Sequence, residues 1–310
     1  MKNILVTGGA GFIGSHLCEA LLKQGNKVFC LDNFSSGSKK NIEEFLSNPN
    51  FVLIEHDIIN PIKIEEKLDE IYNLASFASP VAYQNNPIET LFAGSIGVKN
   101  IIELALKNKA KFLQASTSEV YGDPKEHPQK ESYWGNVNPI GERSCYDESK
   151  RFAEALVMAY HRKKGLNSGI VRIFNTYGPK MALNDGRVVP NLISQALKNE
   201  PLTIYGDGSH TRSFCYVTDL VDGLVKSMNS NYHLPINLGN PSEITIRNFA
   251  NKILQSTNSS SKIEFKPLPK DDPVKRNPDI SLAVKELKWQ PVIALDKGLR
   301  DTINFFKQNL

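Results

Sequence analysis

Residues 3–14 read NILVTGGAGFIG, and this stretch indicates the first strand, turn and helix of the fold. The apolar run at residues 3–7 predicts a buried strand, and apolar residues at helical spacing follow it at Phe12, Ile13, Leu17, Leu21 and Leu22. The glycines between them let the backbone turn tightly, so that a phosphate can approach the free N–H groups at the start of the helix. This stretch therefore predicts a phosphate-binding turn between a strand and a helix.

A second apolar run, residues 27–31, ends in Asp32. A carboxylate at the end of the second strand can accept hydrogen bonds from an adenosine ribose and would repel a 2′-phosphate. The combination favours NAD over NADP. Two alternatives remain open: Lys39 and Lys40 could accommodate a 2′-phosphate, and a glycine-rich turn can also carry a merely solvated aspartate.

The rest of the chain alternates strand-like and helical segments, which predicts an α/β fold with a Rossmann-like, doubly wound parallel sheet. Strands are predicted at 51–55, 70–75, 111–116 and 169–174, and helices at 87–108 and 146–164. Residues 1–175 are the predicted NAD-binding domain. The turn-rich residues 176–310 are predicted to form mainly a smaller, mixed α/β substrate-binding domain, with the chain returning to the first domain around 213–243.

Composition excludes several classes of protein. The chain has 310 residues, 40% of them hydrophobic and 23% charged, which is typical of a globular protein with its own core. A net charge of +4 gives no argument for nucleic acid. The four cysteines contain no C-x-x-C pair, so we expect free thiols, no metal and a cytoplasmic location. No apolar run is long enough for a membrane span or a signal peptide.

Two groups of residues carry the predicted chemistry. Tyr146 and Lys150 are four residues apart in a helical stretch and share one face, where a cation can lower the pKa of a phenol and make it a general base. Thr117, Ser118 and Glu119 follow the predicted strand 111–116, at the carboxyl edge where open parallel sheets bind ligands. An ordinary amphipathic helix and a capped turn are the alternative interpretations of these two groups.

Taken together, these motifs resemble those of the extended short-chain dehydrogenase/reductases that modify nucleotide sugars. The resemblance rests on Gly8-x-x-Gly11-x-x-Gly14, Thr117 to Gly122, Tyr146-x-x-x-Lys150 and Arg172 to Pro179. Longer strings within that group resemble the UDP-glucuronate decarboxylases. They are residues 133–141, 184–189, 205–214 and 271–280, the last including Asp271, Asp272, Pro273 and Arg276.

The resemblance implies an NAD-dependent enzyme that converts UDP-glucuronate to UDP-xylose through a 4-keto intermediate. Tyr146, assisted by Lys150 and Thr117, would take the proton of the sugar 4-hydroxyl while carbon 4 loses hydride. The 4-keto acid would then lose carbon dioxide, and carbon 4 would regain its hydride. Ser118, Glu119 and Arg276 complete the implied catalytic set, and which of them protonates carbon 5 stays open. The family pairs through helices, so a homodimer is expected.

The resemblance also implies the binding residues. The expected contacts of NAD are Gly8, Gly11, Phe12, Ile13, Gly14, Asp32, Asn33, Ser35, Gly37, Asp57, Ile58, Leu74, Ser76, Tyr146 and Lys150. The expected contacts of the UDP-sugar are Glu119, Asn175, Arg187, Val189, Tyr205, Arg212 and Arg276.

One segment departs from the decarboxylase pattern. Where those enzymes usually read Leu-Lys-Thr-Asn-Thr-Ile-Gly-Thr, residues 91–98 place Phe92 at the Lys and Gly94 at the Asn. Other functions therefore remain as alternatives: a nucleotide-sugar 4-epimerase, a 4,6-dehydratase or a non-catalytic NAD-binding regulatory protein. Ser118 argues against a dehydratase, which usually carries an Asp there. Glu119 is not needed by an epimerase, and a silent protein would be expected to lose Tyr146 or Lys150.

Overall fold

The computed structural model describes residues 1–267 and 275–310, and it is built around a parallel β-sheet. Within the described residues this sheet has seven strands in the order β11-β6-β5-β4-β1-β2-β3. The strands are β1 Asn3–Thr7, β2 Lys27–Asp32, β3 Phe51–Glu55, β4 Glu70–Asn73, β5 Lys111–Thr117, β6 Ser168–Ile173, β7 Thr176–Tyr177, β8 Leu202–Tyr205, β9 Thr211–Ser213, β10 Cys215–Tyr216, β11 Pro235–Leu238, β12 Glu243–Thr245, β13 Ile263–Lys266 and β14 Lys275–Arg276.

The helices between these strands cover both faces of the sheet. They are α1 Phe12–Lys23, α2 Pro80–Asn85, α3 Pro87–Phe92, α4 Val98–Asn108, α5 Ser144–Lys164, α6 Val188–Leu197, α7 Val217–Asn229, α8 Ile246–Thr257, α9 Ser281–Leu287 and α10 Leu295–Asn309. Single helical turns of 3-10 type lie at Lys39–Asn41, Glu43–Phe45 and Ser118–Tyr121, and a π turn lies at Ala93–Gly97. The predicted doubly wound α/β fold is confirmed.

Strand β1 shows why the apolar runs become central strands. Ile4 and Val6 face a core that α1, α7 and α9 cover, whereas Leu5 faces a second core under α4 and α5. Side chains alternate between the faces of a strand, and parallel sheets are buried on both faces, so an unbroken apolar run is needed.

The predicted helix at 87–108 is wrong as one continuous element. It is divided into α3, the π turn at residues 93–97 and α4. Two buried glycines explain the break: a Cβ on Gly97 would lie 2.6 Å from Ile58 Cδ1, and one on Gly94 would lie 2.5 Å from Ser149 Cβ. The widened turn lets the helix backbone approach both neighbours closely, a common cause of π turns inside helices.

A third core lies in the region that follows β6. Leu192 and Ile193 of α6 pack there against Phe249 and Ile253 of α8, with Phe306 of α10. Strand β11 instead pairs with β6 in the main sheet, and Trp289 belongs to the core beside α1. The division of the chain into two domains stays a prediction. Among the described residues, no helix has the length and apolar character needed to cross a bilayer.

Candidate active site

A cavity of about 950 Å³ lies along the carboxyl ends of the sheet strands and extends to the region after β6. Residues at or just after the ends of five strands line it: Gly8, Asp32, Leu74, Thr117 and Phe174. This is the edge at which open parallel sheets bind ligands, and it brings both predicted groups of chemical residues to one cavity.

The glycine turn forms one end of the cavity and fits the pyrophosphate of a dinucleotide. Gly8 has a φ of +68°, a left-handed conformation that disfavours other residues. A Cβ on Gly14 would lie 2.0 Å from the Gly8 carbonyl oxygen, so a side chain there would fill the cradle. The turn opens α1 at Phe12, where free N–H groups attract an anion.

Asp32 lies beside this turn and is 6% exposed. Its carboxylate accepts hydrogen bonds from the backbone N–H groups of Ala10, at 2.9 Å, and Phe34, at 2.8 Å. Burial raises the pKa of Asp32, while these two hydrogen bonds oppose the rise. Lys39 is 3.1 Å from Glu55, so a carboxylate already faces this lysine. The arrangement fits a ribose diol better than a 2′-phosphate.

Tyr146 and Lys150 lie on the buried face of α5 beneath Thr117. Burial raises the pKa of Tyr146 to about 12, although its hydrogen bond with the Thr117 side chain opposes this. Lys150 Nζ donates to the Ala115 carbonyl oxygen at 3.0 Å and lies 5.7 Å from the centre of the Tyr146 ring. Burial also lowers the pKa of Lys150 to about 8. The expected fall of the phenol pKa therefore does not arise from the protein alone, because burial outweighs the neighbouring groups.

Glu119 lies in the turn after β5 and binds two arginines through one oxygen. Its Oε2 is 2.5 Å from Arg143 Nη2 and 3.2 Å from Arg276 Nη2. Burial alone would raise the pKa of Glu119, but Arg276 and Arg143 hold it below its usual value. Arg276, 1% exposed, also donates to the Ser118 carbonyl oxygen. The cavity thus holds an ionised carboxylate between two cations, next to the Tyr146 phenol.

A partly buried polar network links β5 and β6 to α5 behind these residues. Arg172 Nη2 is 2.7 Å from Glu154 Oε2, and its Nε is 3.0 Å from Glu154 Oε1. Ser116 donates to the same Glu154 Oε1 at 2.6 Å, and Arg172 Nη1 donates to the Tyr121 hydroxyl at 2.9 Å. A two-point arginine–carboxylate contact is directional as well as strong. The network therefore holds Thr117 and Tyr146 in a fixed relation.

Most predicted contact residues line this cavity. Those on the dinucleotide side are Gly8, Gly11, Phe12, Ile13, Gly14, Asp32, Asn33, Ser35, Asp57, Ile58, Leu74, Ser76, Tyr146 and Lys150. Those on the other side are Thr117, Ser118, Glu119, Asn175, Arg187, Tyr205, Arg212 and Arg276.

Three of the sequence predictions have a different outcome. Val189, 3% exposed, packs its side chain into the core between α6 and α8 and does not line the cavity. Gly37 lies behind the Asp32 carboxylate, where a Cβ would be 2.8 Å from both oxygens. Asp271, Asp272 and Pro273 lie outside the described residues.

Arg143 and Tyr83 are two cavity residues that were not predicted from the sequence. Both line the cavity, and the Tyr83 ring stacks on Tyr146 with centres 5.0 Å apart. Arg143 is three residues before Tyr146, so the helical spacing that paired Tyr146 with Lys150 could also have found it. No comparable signal pointed to Tyr83, whose position depends on how α2 packs against α5.

The sheet, the glycine turn and the Thr117, Tyr146 and Lys150 group together define an extended short-chain dehydrogenase/reductase. A family profile described as GDP-mannose 4,6 dehydratase matches residues 5–302. UDP-glucuronic acid decarboxylase 1 of Arabidopsis thaliana is 53% identical over 99% of this chain and 70% of its own length. The Danio rerio protein of the same name is 53% identical over 100% of this chain and 73% of its own length. The chain belongs to this dehydratase-type family, within its group of UDP-glucuronic acid decarboxylases.

Solved structures of similar fold include two 4-epimerases. UDP-glucose 4-epimerase of Thermotoga maritima, solved with UDP-glucose, has a TM-score of 0.91 at 29% identity and is covered over 99% of both chains. UDP-glucuronic acid 4-epimerase of Bacillus cereus, in complex with UDP-glucuronic acid and NAD, has a TM-score of 0.90 at 30% identity. That match covers 99% of this chain and 100% of the epimerase.

Proposed function

We propose that this protein is an NAD-dependent UDP-glucuronate decarboxylase that forms UDP-xylose through a 4-keto intermediate. One observation carries the proposal beyond the family resemblance: Arg276, Ser118 and Glu119 meet beside the Tyr146 phenol in one cavity. A cation next to the oxidation site suits a sugar whose carbon 5 carries a carboxylate.

The first step is oxidation at carbon 4. Tyr146 takes the proton of the 4-hydroxyl, and Thr117, hydrogen-bonded to that phenol, orients it. Bound NAD supplies the hydride acceptor in this step and the hydride donor in the last. Gly8 and Gly14 would hold its pyrophosphate, and Asp32 would hold its adenosine ribose.

Decarboxylation then needs no further oxidant. The bond between carbon 5 and the carboxyl carbon breaks, carbon dioxide leaves, and the electron pair passes to the 4-keto oxygen as an enolate. Tyr146, now protonated, and Thr117 donate hydrogen bonds to that oxygen. Carbon 5 gains a proton, and Arg276 with Ser118 positions the carboxyl-bearing carbon beforehand. The Arg143 and Arg276 contacts keep Glu119 ionised before substrate binds, so Glu119 is better placed as a relay than as a resident proton donor.

The test is incubation of purified protein with UDP-glucuronate and NAD⁺, followed by identification of the product by mass and NMR. UDP-glucose is the matched control substrate, because it differs only in carrying a hydroxymethyl group on carbon 5 where UDP-glucuronate carries a carboxylate. We expect UDP-xylose from UDP-glucuronate and no turnover of UDP-glucose. A higher specificity constant for UDP-glucose, with UDP-glucuronate inert, would overturn the proposal.

We also propose that the protein is a homodimer. Apolar side chains of α3, the π turn and α5 form an exposed patch: Ile88, Leu91, Phe92, Ile96 and Phe152 are each more than 40% exposed. A second copy of the chain would bury this patch. Light scattering is expected to give a dimer mass for the protein and for Val292→Lys, an exposed apolar site elsewhere. Phe152→Lys should shift the mass toward the monomer, and an unchanged dimer would exclude this face.

A cytoplasmic location is our remaining proposal. All four cysteines are buried as free thiols, which suits a reducing compartment. Thiol counting on protein isolated under alkylating conditions should find all four reduced. A disulfide between any two would contradict this location.

A further inference from the structure

The π turn at residues 93–97 presses against the catalytic helix α5 at Gly94. This glycine is buried, and a Cβ added to it would lie 2.5 Å from Ser149 Cβ and 3.0 Å from the Ser149 carbonyl oxygen. Carbon atoms normally approach to about 3.5–4.0 Å. Ser149 therefore occupies the space that any side chain at position 94 would need.

Ser149 itself lies between the two chemical residues of α5. It immediately precedes Lys150, is 2% exposed, and donates from Oγ to the Tyr146 carbonyl oxygen at 2.7 Å. On its other side, the π turn forms part of the cavity wall through Ala93. A change at this contact would thus displace Tyr146, Lys150 and the cavity wall at Ala93 together.

We propose that Gly94 and Ser149 are a matched pair that sets the position of Tyr146 and Lys150, with Ser149 acting as a positioning residue. The pair explains the departure noted at position 94: an asparagine there cannot coexist with Ser149 unless the π turn and α5 move apart. The expected kinetic effects of this pair rest on the proposed function. The packing contact between Gly94 and Ser149 does not depend on that function.

The expected consequence is a change in chemistry as well as in packing. Thr117 lies on β5, and its hydrogen bond opposes the raised pKa of Tyr146. A displacement of α5 away from β5 weakens this bond and raises the pKa of the phenol further. Proton abstraction by Tyr146 then needs a higher pH. Loss of packing alone would lower stability and leave the pH profile in place.

The experiment is a double-mutant cycle of wild type, Gly94→Asn, Ser149→Gly and the double variant. Gly94→Asn should lower kcat for UDP-glucuronate by about a hundredfold, as expected for misplaced reacting groups, and move the acid limb of the pH profile to higher pH. The double variant should return the pH profile and most of kcat, because glycine at 149 frees the space. Lys99→Asn is the control, because Lys99 is exposed near the start of the neighbouring helix α4.

One further measurement and one substitute variant keep the outcome decisive. Ultraviolet difference titration against Tyr146→Phe, with NAD⁺ present, reports the pKa of the phenol without substrate, so failure of the proposed function leaves this test intact. If Gly94→Asn does not fold, Gly94→Ala takes its place in the cycle. The proposal is overturned if the single variant keeps the wild-type pH profile and phenol titration, or if Ser149→Gly restores neither.

Discussion

Tyr146 is buried, and its pKa of about 12 is too high for a base at neutral pH. Lys150, with a pKa lowered to about 8 by burial, is near enough to favour the phenolate but does not offset desolvation. The protein's own side chains thus hold this residue as a phenol. The positive charge of bound NAD⁺ would favour the phenolate.

Tyr146→Phe removes the base and keeps the ring. We expect turnover of UDP-glucuronate to fall by about a hundred- to ten-thousandfold, the usual cost of losing a general base. Calorimetry gives the NAD⁺ affinity of the variant, so that turnover is measured with saturating NAD⁺. Tyr160→Phe is the matched control, because its hydroxyl contacts Glu103 at 3.3 Å on the outer side of the same helix. Near-normal release of carbon dioxide by folded, NAD-saturated Tyr146→Phe would mean that another group is the base.

The position of Asp32 leads us to expect a preference for NAD⁺ over NADP⁺. Its carboxylate should make NAD⁺ bind at least about tenfold more tightly than NADP⁺, a difference of about 1.4 kcal/mol. Asp32→Ala should reduce this preference. Calorimetric titration with both dinucleotides measures it, and equal or tighter binding of NADP⁺ to the unaltered protein would show that Lys39 and Lys40 dominate.

The raised pKa of Asp147 should make the free energy of unfolding depend on pH. Burial, together with the nearby Glu119 charge, raises its pKa to about 7, and Oδ1 has no hydrogen-bond partner among the described residues. The folded state therefore keeps a proton that the unfolded state releases near pH 4. Stability from this group is present below that pH and is lost as the pH rises to about 7, by at most about 1.4 kcal/mol per pH unit.

Asp147→Asn should remove this loss. Urea unfolding of both proteins from pH 4 to pH 7 measures it, and the stability of wild type relative to the variant should fall steadily across that range. A constant difference between the two proteins would show that Asp147 does not hold a proton in the folded state.

At the scale of elements, β6 and α5 are held together by Glu154 and Arg172, whose side chains are each 12% exposed. Arg172→Met should destabilise the protein by about 1–3 kcal/mol, because it leaves a partly buried carboxylate without its cation. Adding Glu154→Met should recover part of the loss. Lys226→Met, in an exposed ion pair with Asp222, should cost less than about 1 kcal/mol in the same urea titrations. Equal losses for Arg172→Met and Lys226→Met would mean that the network contributes little.

The periodicity of apolar residues was sufficient to predict the bounds of several strands and helices. The strand at 3–7 and the strand at 51–55 have the predicted bounds, and α5 begins only two residues before the predicted start. The helix at 87–108 was not predictable in the same way. Its break depends on close approach to Ile58 and Ser149, which are distant in sequence from Gly97 and Gly94.

The same reason limits the prediction of the site. Asp32, Thr117 and Tyr146 follow from strand ends and helix spacing. The meeting of Glu119 with Arg276, 157 residues apart, follows only from folding of the whole chain. It was expected here solely from resemblance to a known family. Val189 shows that a position near a predicted binding loop can turn its side chain into the core.

At the scale of the whole molecule, the cavity joins two sets of residues with different tasks. The glycine turn and Asp32 fit a dinucleotide, while Arg212, Tyr205 and Arg276 come from the region after β6. Strand β14 places Arg276 beside Arg212 of β9 by parallel pairing. The reaction is therefore expected where these two sets of residues meet, next to Tyr146.

Decarboxylation at that meeting point is measured most directly with UDP-glucuronate whose carboxyl carbon is labelled with carbon-13, turned over with NAD⁺ in deuterium oxide. We predict that the label appears as carbon dioxide in equal amount to UDP-xylose, with deuterium at carbon 5 and none at carbon 4, because carbon 4 regains the hydride it lost. Retention of the label in a nucleotide sugar inverted at carbon 4 would identify an epimerase and contradict the account.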